Sequence, residues 1–316
     1  MPIKDIEYAI ETKNLTKKYD DFVAVDNLNL KIKKGEIFGF LGPNGAGKTT
    51  TLNMIVGILN VTNGSISIIG HDIKSIKEKI GICPQKICLW ENLTCNENLS
   101  LIGDMYEVPK TIKFERMQQL LKDLQLVDKK DSYVKTLSGG MQRRLNLAMA
   151  LIHNPDIIVL DEPSAGLDPQ SRLILWNYIQ SLCKKENKTI LLTTHMMEEA
   201  EKLSDRIAIM DKGKLLILDT PSNLKKQVGN GDILEIQVLD YANNQEIILL
   251  IKSHEEIFDV VEIENKIIIR LKNGMTKLPN IIQLIEKSGN NIINTSIREN
   301  TLEDVFIYLT GRGLRK

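Results

Sequence analysis

The sequence holds no run approaching ~18 consecutive apolar residues, the length a single helix needs to cross a bilayer. It has no surplus of charge either: Lys+Arg and Asp+Glu both number 41, a formal net charge of +0. That balance excludes a generic polyanion binder, while a local basic patch stays compatible with it. The first residues, Met1 to Glu7, lack the basic-then-apolar layout of a secretory signal, so a cytosolic product is expected. Cysteine is scarce: Cys83, Cys88, Cys95 and Cys183 are too few for a disulfide scaffold in 316 residues. Three of them share a short window, but no CxxC pair occurs and two of the three intervals fit no common zinc pattern. Reduced thiols are the expectation. Internal repeats and low-complexity tracts are also missing.

What is there is ordinary globular material, 42% hydrophobic and 26% charged, enough for one large core or two domains. Partly alternating extended segments open the chain, as in Ala24 to Ile32, and Ile37 to Leu41 reads as a short buried strand. A glycine-rich turn and a helix from Lys48 to about Leu59 follow. Strands are predicted at residues 65–69 and 80–83, then polar-faced helical pattern from Asn96 to Leu126, interrupted at Pro109. A helix is predicted over Gly140–His153. Beyond it, apolar strands at Ile157–Leu160 and Thr189–Thr193 alternate with helices at Pro169–Cys183 and Met196–Leu203, which implies a parallel sheet covered on both faces. Arg206 to Asp219 reads as a closing hairpin.

Gly229-Asn230-Gly231 marks the expected domain boundary, giving domains over 1–228 and 229–316. The second reads β-α-β-β-α-β: a strand through Leu234, Ile236 and Val238, a helix around Gln245–Ile257, and a hairpin around Glu264-Asn265-Lys266. A helix at Lys277–Ser288 and a strand at Ile292–Ile297 complete this split βαβ order. Thr301-Leu302-Glu303-Asp304 then fits a capping box, opening a short helix with Leu302, Val305, Phe306 and Leu309 on one face.

Three motifs carry chemistry. Gly42-Pro43-Asn44-Gly45-Ala46-Gly47-Lys48-Thr49 fits GxxxxGK[ST] between an apolar strand and a helix. Its glycines let backbone amides converge on phosphate oxygens at a positive helix N-terminus. Lys48 is expected to reach the β- and γ-phosphates and the Thr49 hydroxyl to ligate Mg²⁺. Ile157 to Leu160 leads into Asp161, placed to approach Mg²⁺, and Glu162, placed to polarise the water attacking the γ-phosphate. Ser138-Gly139-Gly140, just before a helix, is a second phosphate-sized nest. One nucleotide needs one nest, so the second suggests a site completed by another subunit.

With these motifs in order, the sequence resembles the ATPase subunit of an ATP-binding-cassette (ABC) transporter over about residues 5–225. Gly42–Thr49 matches Walker A, Ile157–Glu162 Walker B, Leu137–Met141 the LSGGQ signature and Ser164–Asp168 the D-loop. Gln85 matches the Q-loop, His195 the switch histidine and Tyr19 the aromatic that stacks on adenine. Met141 departs from the consensus Gln, which follows as Gln142. The resemblance implies a P-loop NTPase: a RecA-like α/β core, an antiparallel β subdomain and an α-helical subdomain over about 87–150, with a small C-terminal α+β domain. It implies ATP and Mg²⁺ as ligands, with Gly42 through Thr50, Tyr19, and the second copy's Ser138, Gly139 and Gly140 around the nucleotide. Thr49, Gln85 and Asp161 would face the metal, and Glu162, His195 and Lys48 would carry catalysis.

The expected partners are a separate transmembrane permease and a second ATPase copy or paralogue, with no nucleic acid. They would put the chain in the cytoplasm, peripheral on the inner face of the cell membrane. The tail, Thr301 to Arg312, and the run Leu137 to Leu145 resemble the drug-resistance and polysaccharide exporter branch, with the C-terminal domain as a regulatory or dimerisation accessory. A soluble ABC ATPase acting on ribosomes or nucleic acid, and an importer ATPase, are the alternatives. Trp90, just after Gln85, is either an anchor for the membrane partner or ordinary packing.

Overall fold

The computed structural model describes residues 7–71, 76–227, 231–239, 248–249, 251–252, 257–263, 266–287 and 291–310. They fall into two compact units that divide between Thr220 and Pro221.

The first unit is built on a six-stranded sheet. Its strands are β3 (Ile37–Leu41), β5 (Ile80–Cys83), β6 (Ile157–Asp161), β7 (Thr189–Thr194), β8 (Arg206–Asp211) and β9 (Lys214–Asp219), ordered β5-β6-β7-β3-β8-β9. All neighbours run parallel except β9, which returns antiparallel along β8. Every residue of β3, β6 and β7 is buried, as expected for central strands of a parallel sheet covered on both faces. One face carries an antiparallel sheet of β1 (Tyr8–Tyr19), β2 (Phe22–Lys33) and β4 (Asn63–Ile68), ordered β2-β1-β4. Ile10, Leu28 and Ile32 from it share a core with Phe38, Phe40, Val159 and Leu191 of the large sheet. α1 (Lys48–Ile55) belongs to the same core through Leu52, Met54 and Ile55.

The other face is covered by helices. The polar-faced stretch predicted with a break at Pro109 is two helices, α2 (Cys95–Met105) and α3 (Lys110–Asp123). A reciprocal capping box starts α2: Thr94 Oγ1 accepts from the Glu97 amide, and the Thr94 amide donates to Glu97 Oε2 at 2.7 Å. α4 (Gly139–Leu151) and α5 (Pro169–Glu186) follow, capped by the side chains of Ser138 and Asp168. Leu120, Leu145, Leu175 and Ile179 from these helices form one core with Ile158, Leu160, Ile190 and Leu192 of the sheet. α6 (Met197–Leu203) lies between β7 and β8 in the chain. Cys83, Cys95 and Cys183 are buried, Cys88 is exposed, and all are free thiols. No helix of the described residues is long and apolar enough to cross a membrane.

The second unit begins with α7 (Pro221–Gln227), eight residues ahead of the predicted boundary at 229. Its Leu224 is buried, and the helix packs on α9 (Leu302–Thr310) at the far end of the same unit. That long-range packing assigns α7, whereas the sequence offers only the later glycine cluster, of which Gly229 and Asn230 lie outside the described residues. Strands β10 (Asp232–Val238), β11 (Ile257–Ile263), β12 (Lys266–Leu271) and β13 (Ile292–Glu299) form an antiparallel sheet ordered β11-β12-β10-β13. α8 (Gly274–Lys287) joins β12 to β13, with Ile281 and Ile285 buried against Leu234, Ile236 and Val238. The helix predicted around Gln245–Ile257 lies mostly outside the described residues. Ile248, Leu249, Ile251 and Lys252 are helical, whereas Ile257 opens β11 instead of ending a helix. The capping box at α9 forms: the Thr301 amide donates to Asp304 Oδ2 at 2.8 Å, and Thr301 Oγ1 accepts from the Asp304 amide.

Candidate functional site

Four neighbouring parallel strands end at one edge of the large sheet, and the loop after each carries a residue of the predicted site. Gly42 follows β3, Gln85 comes just after β5, Glu162 follows β6 and His195 follows β7. Ligand crevices form at the carboxyl ends of such strands, where loops leave the sheet.

The loop after β3 is shaped by close backbone approach. A Cβ on Gly42 would lie 2.2 Å from the Met210 carbonyl oxygen, and Gly47 holds φ 97° against the Ala24 carbonyl. Those positions accept glycine alone. Pro43 and Ala46 are buried, and the Ala46 amide donates a hydrogen bond to the Pro43 carbonyl, while Asn44, Gly45 and Thr49 face solvent and Thr50 is half-buried. Lys48 is 5% exposed, and its Nζ donates to the Gly42 and Pro43 carbonyls at 2.7 and 3.0 Å. Burial holds its ammonium below the ordinary lysine pKa, opposed by the charges of Glu162 and Asp161. The loop therefore offers an anion a dehydrated cation and a ring of helix-start amides.

Two carboxylates face this loop. Thr49 Oγ1 donates to Asp161 Oδ1 at 2.9 Å, and the Thr193 hydroxyl donates to the same oxygen. Glu162 sits at φ 47°, left-handed for a non-glycine residue, with its amide donating to the carbonyl and the hydroxyl of Thr193 at 3.1 Å each. Gln85 Nε2 donates to Glu162 Oε2 at 3.1 Å, and His195 Nδ1 lies 3.1 Å from Glu162 Oε1. Lys48, Thr49, Gln85, Asp161, Glu162 and His195 thus gather at one place. Such a set can bind a polyphosphate, hold a hard cation between Thr49 and Asp161, and present a carboxylate to water.

Two predicted parts stand outside this hydrogen-bonded cluster. Tyr19 ends β1, is 46% exposed as a residue, and has Lys17 Nζ 4.9 Å from its ring centroid. Ser138 and Gly139 are exposed at the start of α4, where Ser138 Oγ accepts from the Met141 amide at 3.3 Å. Gly140 is buried, and a Cβ there would meet Ser171 Oγ at 2.4 Å.

Sequence reasoning missed three supporting groups. Thr193 holds both carboxylate-bearing residues, yet its hydroxyl is ordinary for a strand. Glu199 is buried and accepts from Ser164 Oγ and from Trp176 Nε1, the latter at 3.0 Å. The signal was an acidic residue sharing a buried helix face with Ala200 and Leu203. Arg143 is buried too, but in a helix that also holds Gln142, Arg144 and Asn146 no sequence signal marks it.

Comparison with known proteins adds an independent line. The family described as ABC transporter matches residues 25–165. A linearmycin resistance ATP-binding protein of Bacillus subtilis is 36% identical, covering 97% of this chain and 99% of its own length. A Nod factor export ATP-binding protein I of Burkholderia lata is 36% identical, with 100% of both chains covered. ABC transporter A family member 7 of Dictyostelium discoideum is 40% identical over 91% of this chain, which spans only 35% of that longer protein. Among solved structures, a dimeric ATP-binding cassette in a post-hydrolysis state with ADP and Pi aligns at TM-score 0.62 and 29% identity, covering 67% of this chain and 98% of its own.

Proposed function

The chain belongs to the ATP-binding proteins of the ABC transporter family, and on that premise we propose that it hydrolyses ATP in a head-to-tail pair to drive export through a separate membrane subunit. The observation that carries the chemistry is Glu162, one residue past the Thr49-bonded Asp161 and held between Gln85 Nε2 and His195 Nδ1 at 3.1 Å each.

In this reading Gly42 to Thr50 cradle the phosphates, Lys48 supplies the cation and Tyr19 stacks on the base. The partial exposure of Tyr19 supports that role. Thr49 and Asp161 offer hard oxygen donors already within 2.9 Å of each other, a donor set that fits Mg²⁺, with the Gln85 amide oxygen as a further ligand. The ion would neutralise charge on the β- and γ-phosphate oxygens. Glu162 accepts the proton of the attacking water, and His195, bonded to the same carboxylate, holds it in place. Ser138, Gly139 and Gly140 serve the nucleotide of the second copy. Their solvent exposure, apart from Gly140, supports that assignment.

The membrane partner has a candidate seat. A cleft of about 370 Å³ next to the Gln85 loop is lined by Ile58, Ile82, Trp90, Tyr106, Met149 and His153. Trp90 there is 43% exposed, which favours the anchor reading over packing. Through that partner the chain would sit on the cytoplasmic face of the membrane. Export, in preference to import, rests on the two full-length relatives, one named for resistance and one for export.

The test is phosphate release by the purified chain. Glu162→Gln keeps the shape and loses the basicity, so turnover is expected to fall by roughly 10²–10⁴-fold with ATP binding retained. Wild-type turnover in that variant would overturn the assignment of the base.

A further inference from the structure

Arg143 lies in the second turn of α4, five residues after Ser138, and is 3% exposed. A buried guanidinium ordinarily finds a carboxylate. Here its donors go to main-chain carbonyls instead. Nε donates to Pro163 at 2.8 Å, Nη1 to Pro84 and Gln85 at 2.6 and 2.9 Å, and Nη2 to Asp161 and Glu162 at 2.8 Å each. A guanidinium has one N–H on Nε and two on each terminal nitrogen, all in a planar fork. The acceptors match that inventory donor for donor.

The choice of carbonyls matters more than their number. Two belong to the segment that carries Gln85 and three to the segment that carries Glu162. The side chains of these residues meet at 3.1 Å. One rigid fork therefore fixes the separation of the two loops whose side chains must stay in register. Asn146, one turn further along α4, extends the brace. Its Oδ1 accepts from the Cys88 amide and its Nδ2 donates to Cys83 Sγ, both at 3.2 Å. Glu162 also holds a left-handed backbone (φ 47°), uncommon for a non-glycine residue, so its place depends on the bonds around it.

We infer that Arg143 is a positioning residue for hydrolysis: it ties the helix that begins at Ser138 to the loops of Gln85 and Glu162, and so sets where the general base stands. The inference rests on the reading of Glu162 as that base. It makes Arg143 matter for turnover and not for nucleotide affinity, because its bonds are to the loops of Gln85 and Glu162 and none is to the Gly42–Thr49 loop. Lysine cannot replace it: a point ammonium with three donors cannot span both segments.

The experiment measures single-turnover ATP cleavage and ATP affinity for Arg143→Lys and Arg143→Met, each alone and combined with Glu162→Gln. Arg143→Met is expected to lower the cleavage rate by about 10²-fold, the scale of a misplaced reacting group, with Kd for ATP unchanged. Arg143→Lys should fall between it and wild type. In the Glu162→Gln background neither substitution should slow cleavage further, because the group being positioned has lost its basicity. Wild-type cleavage in Arg143→Lys, or a full and independent loss when Arg143→Met is added to Glu162→Gln, would overturn the inference. If circular dichroism shows Arg143→Met unfolded, Arg143→Lys alone decides, because it keeps the buried charge. The two failures are separable. Fast cleavage by Glu162→Gln alone breaks the base assignment, whereas slow cleavage there with wild-type Arg143 variants breaks only the positioning role.

Discussion

Two helices of this chain begin at glycine-rich turns, and what surrounds them differs sharply. The turn before α1 exposes Asn44 and Gly45 but is lined by charged and polar groups of its own chain: Lys48 lies folded onto it, and Asp161, Glu162, Gln85 and His195 gather at the neighbouring strand ends. The turn before α4 has Ser138 and Gly139 open to solvent, and a Cβ added at Gly139 would touch nothing within 4 Å. Neither arginine of α4 donates to Ser138 or Gly139, although Arg144 Nε reaches the Gly140 carbonyl at 3.4 Å. Arg143 is spent on five carbonyls, and Arg144 donates to the carbonyls of Leu124 and Gln125 at 2.6 and 3.3 Å. The same backbone device is thus a finished site in one place and half of a site in the other. What the second turn lacks (cation, metal ligands and base) the first holds, and in the proposed head-to-tail pair the two would complement each other across chains.

That asymmetry can be broken at the turn before α1 first. Lys48→Ala removes its one side-chain cation, leaving phosphate charge to amides and the metal. ATP binding should weaken and turnover should disappear, read by phosphate release and by binding of a fluorescent ATP analogue. Next come the glycines. Gly42→Ala forces a methyl to within 2.2 Å of the Met210 carbonyl, so it should cost roughly 1–3 kcal/mol of stability as overpacking does. Gly139→Ala meets open space inside a helix, and its melting temperature should match or exceed wild type. Thermal denaturation of the two variants compares the crowding of the two turns directly.

A smaller effect concerns pH. Burial keeps the folded-state pKa of Lys48 below the ordinary lysine value of 10.5. Between those two values the unfolded chain binds more protons than the folded one, so this residue's contribution to stability rises with pH across that window. ATP affinity should move the opposite way, falling as pH rises through the folded value and the loop loses its charge. Isothermal titration with ATP checks the sign for affinity and thermal denaturation across the same range checks the sign for stability, each with Lys48→Ala as the control. The smallest effect on turnover is expected in the second unit. There Arg298 joins Glu235 at 2.7 Å and Asp304 at 2.6 Å. Burial would raise the Asp304 carboxyl, but Arg298 and Thr301 hold it below its ordinary value. Its contribution to stability is therefore present above the ordinary aspartate pKa and lost as pH falls through the depressed one. Asp304→Asn should cost about 1–3 kcal/mol in the melting of that unit and leave ATP turnover unchanged.

How much of this was legible in the sequence depends on where each contact comes from. The turn before α1 was legible because its requirements are local: an apolar strand, glycines at fixed offsets, then Lys48 and Thr49 opening a helix. Asp161 and Glu162 were legible for the same reason, at the end of a continuous apolar run. Arg143 was not. Its partners are carbonyls from positions 84–85 and 161–163, and a carbonyl leaves no mark in a sequence. The start of the second unit was misplaced by eight residues for a related reason. Glycines at 229 and 231 advertise a break, while the packing of Leu224 and its helix on α9 depends on residues some eighty positions away.

The central claim is that the open turn before α4 closes over ATP held by another copy. Light scattering on Glu162→Gln, which should bind ATP without consuming it, tests this most directly. With ATP and Mg²⁺ the variant is expected to shift from monomer to dimer, and adding Ser138→Arg should abolish the shift while ATP binding persists. A Glu162→Gln chain that stays monomeric at saturating ATP, or one whose dimer tolerates Ser138→Arg, would contradict it.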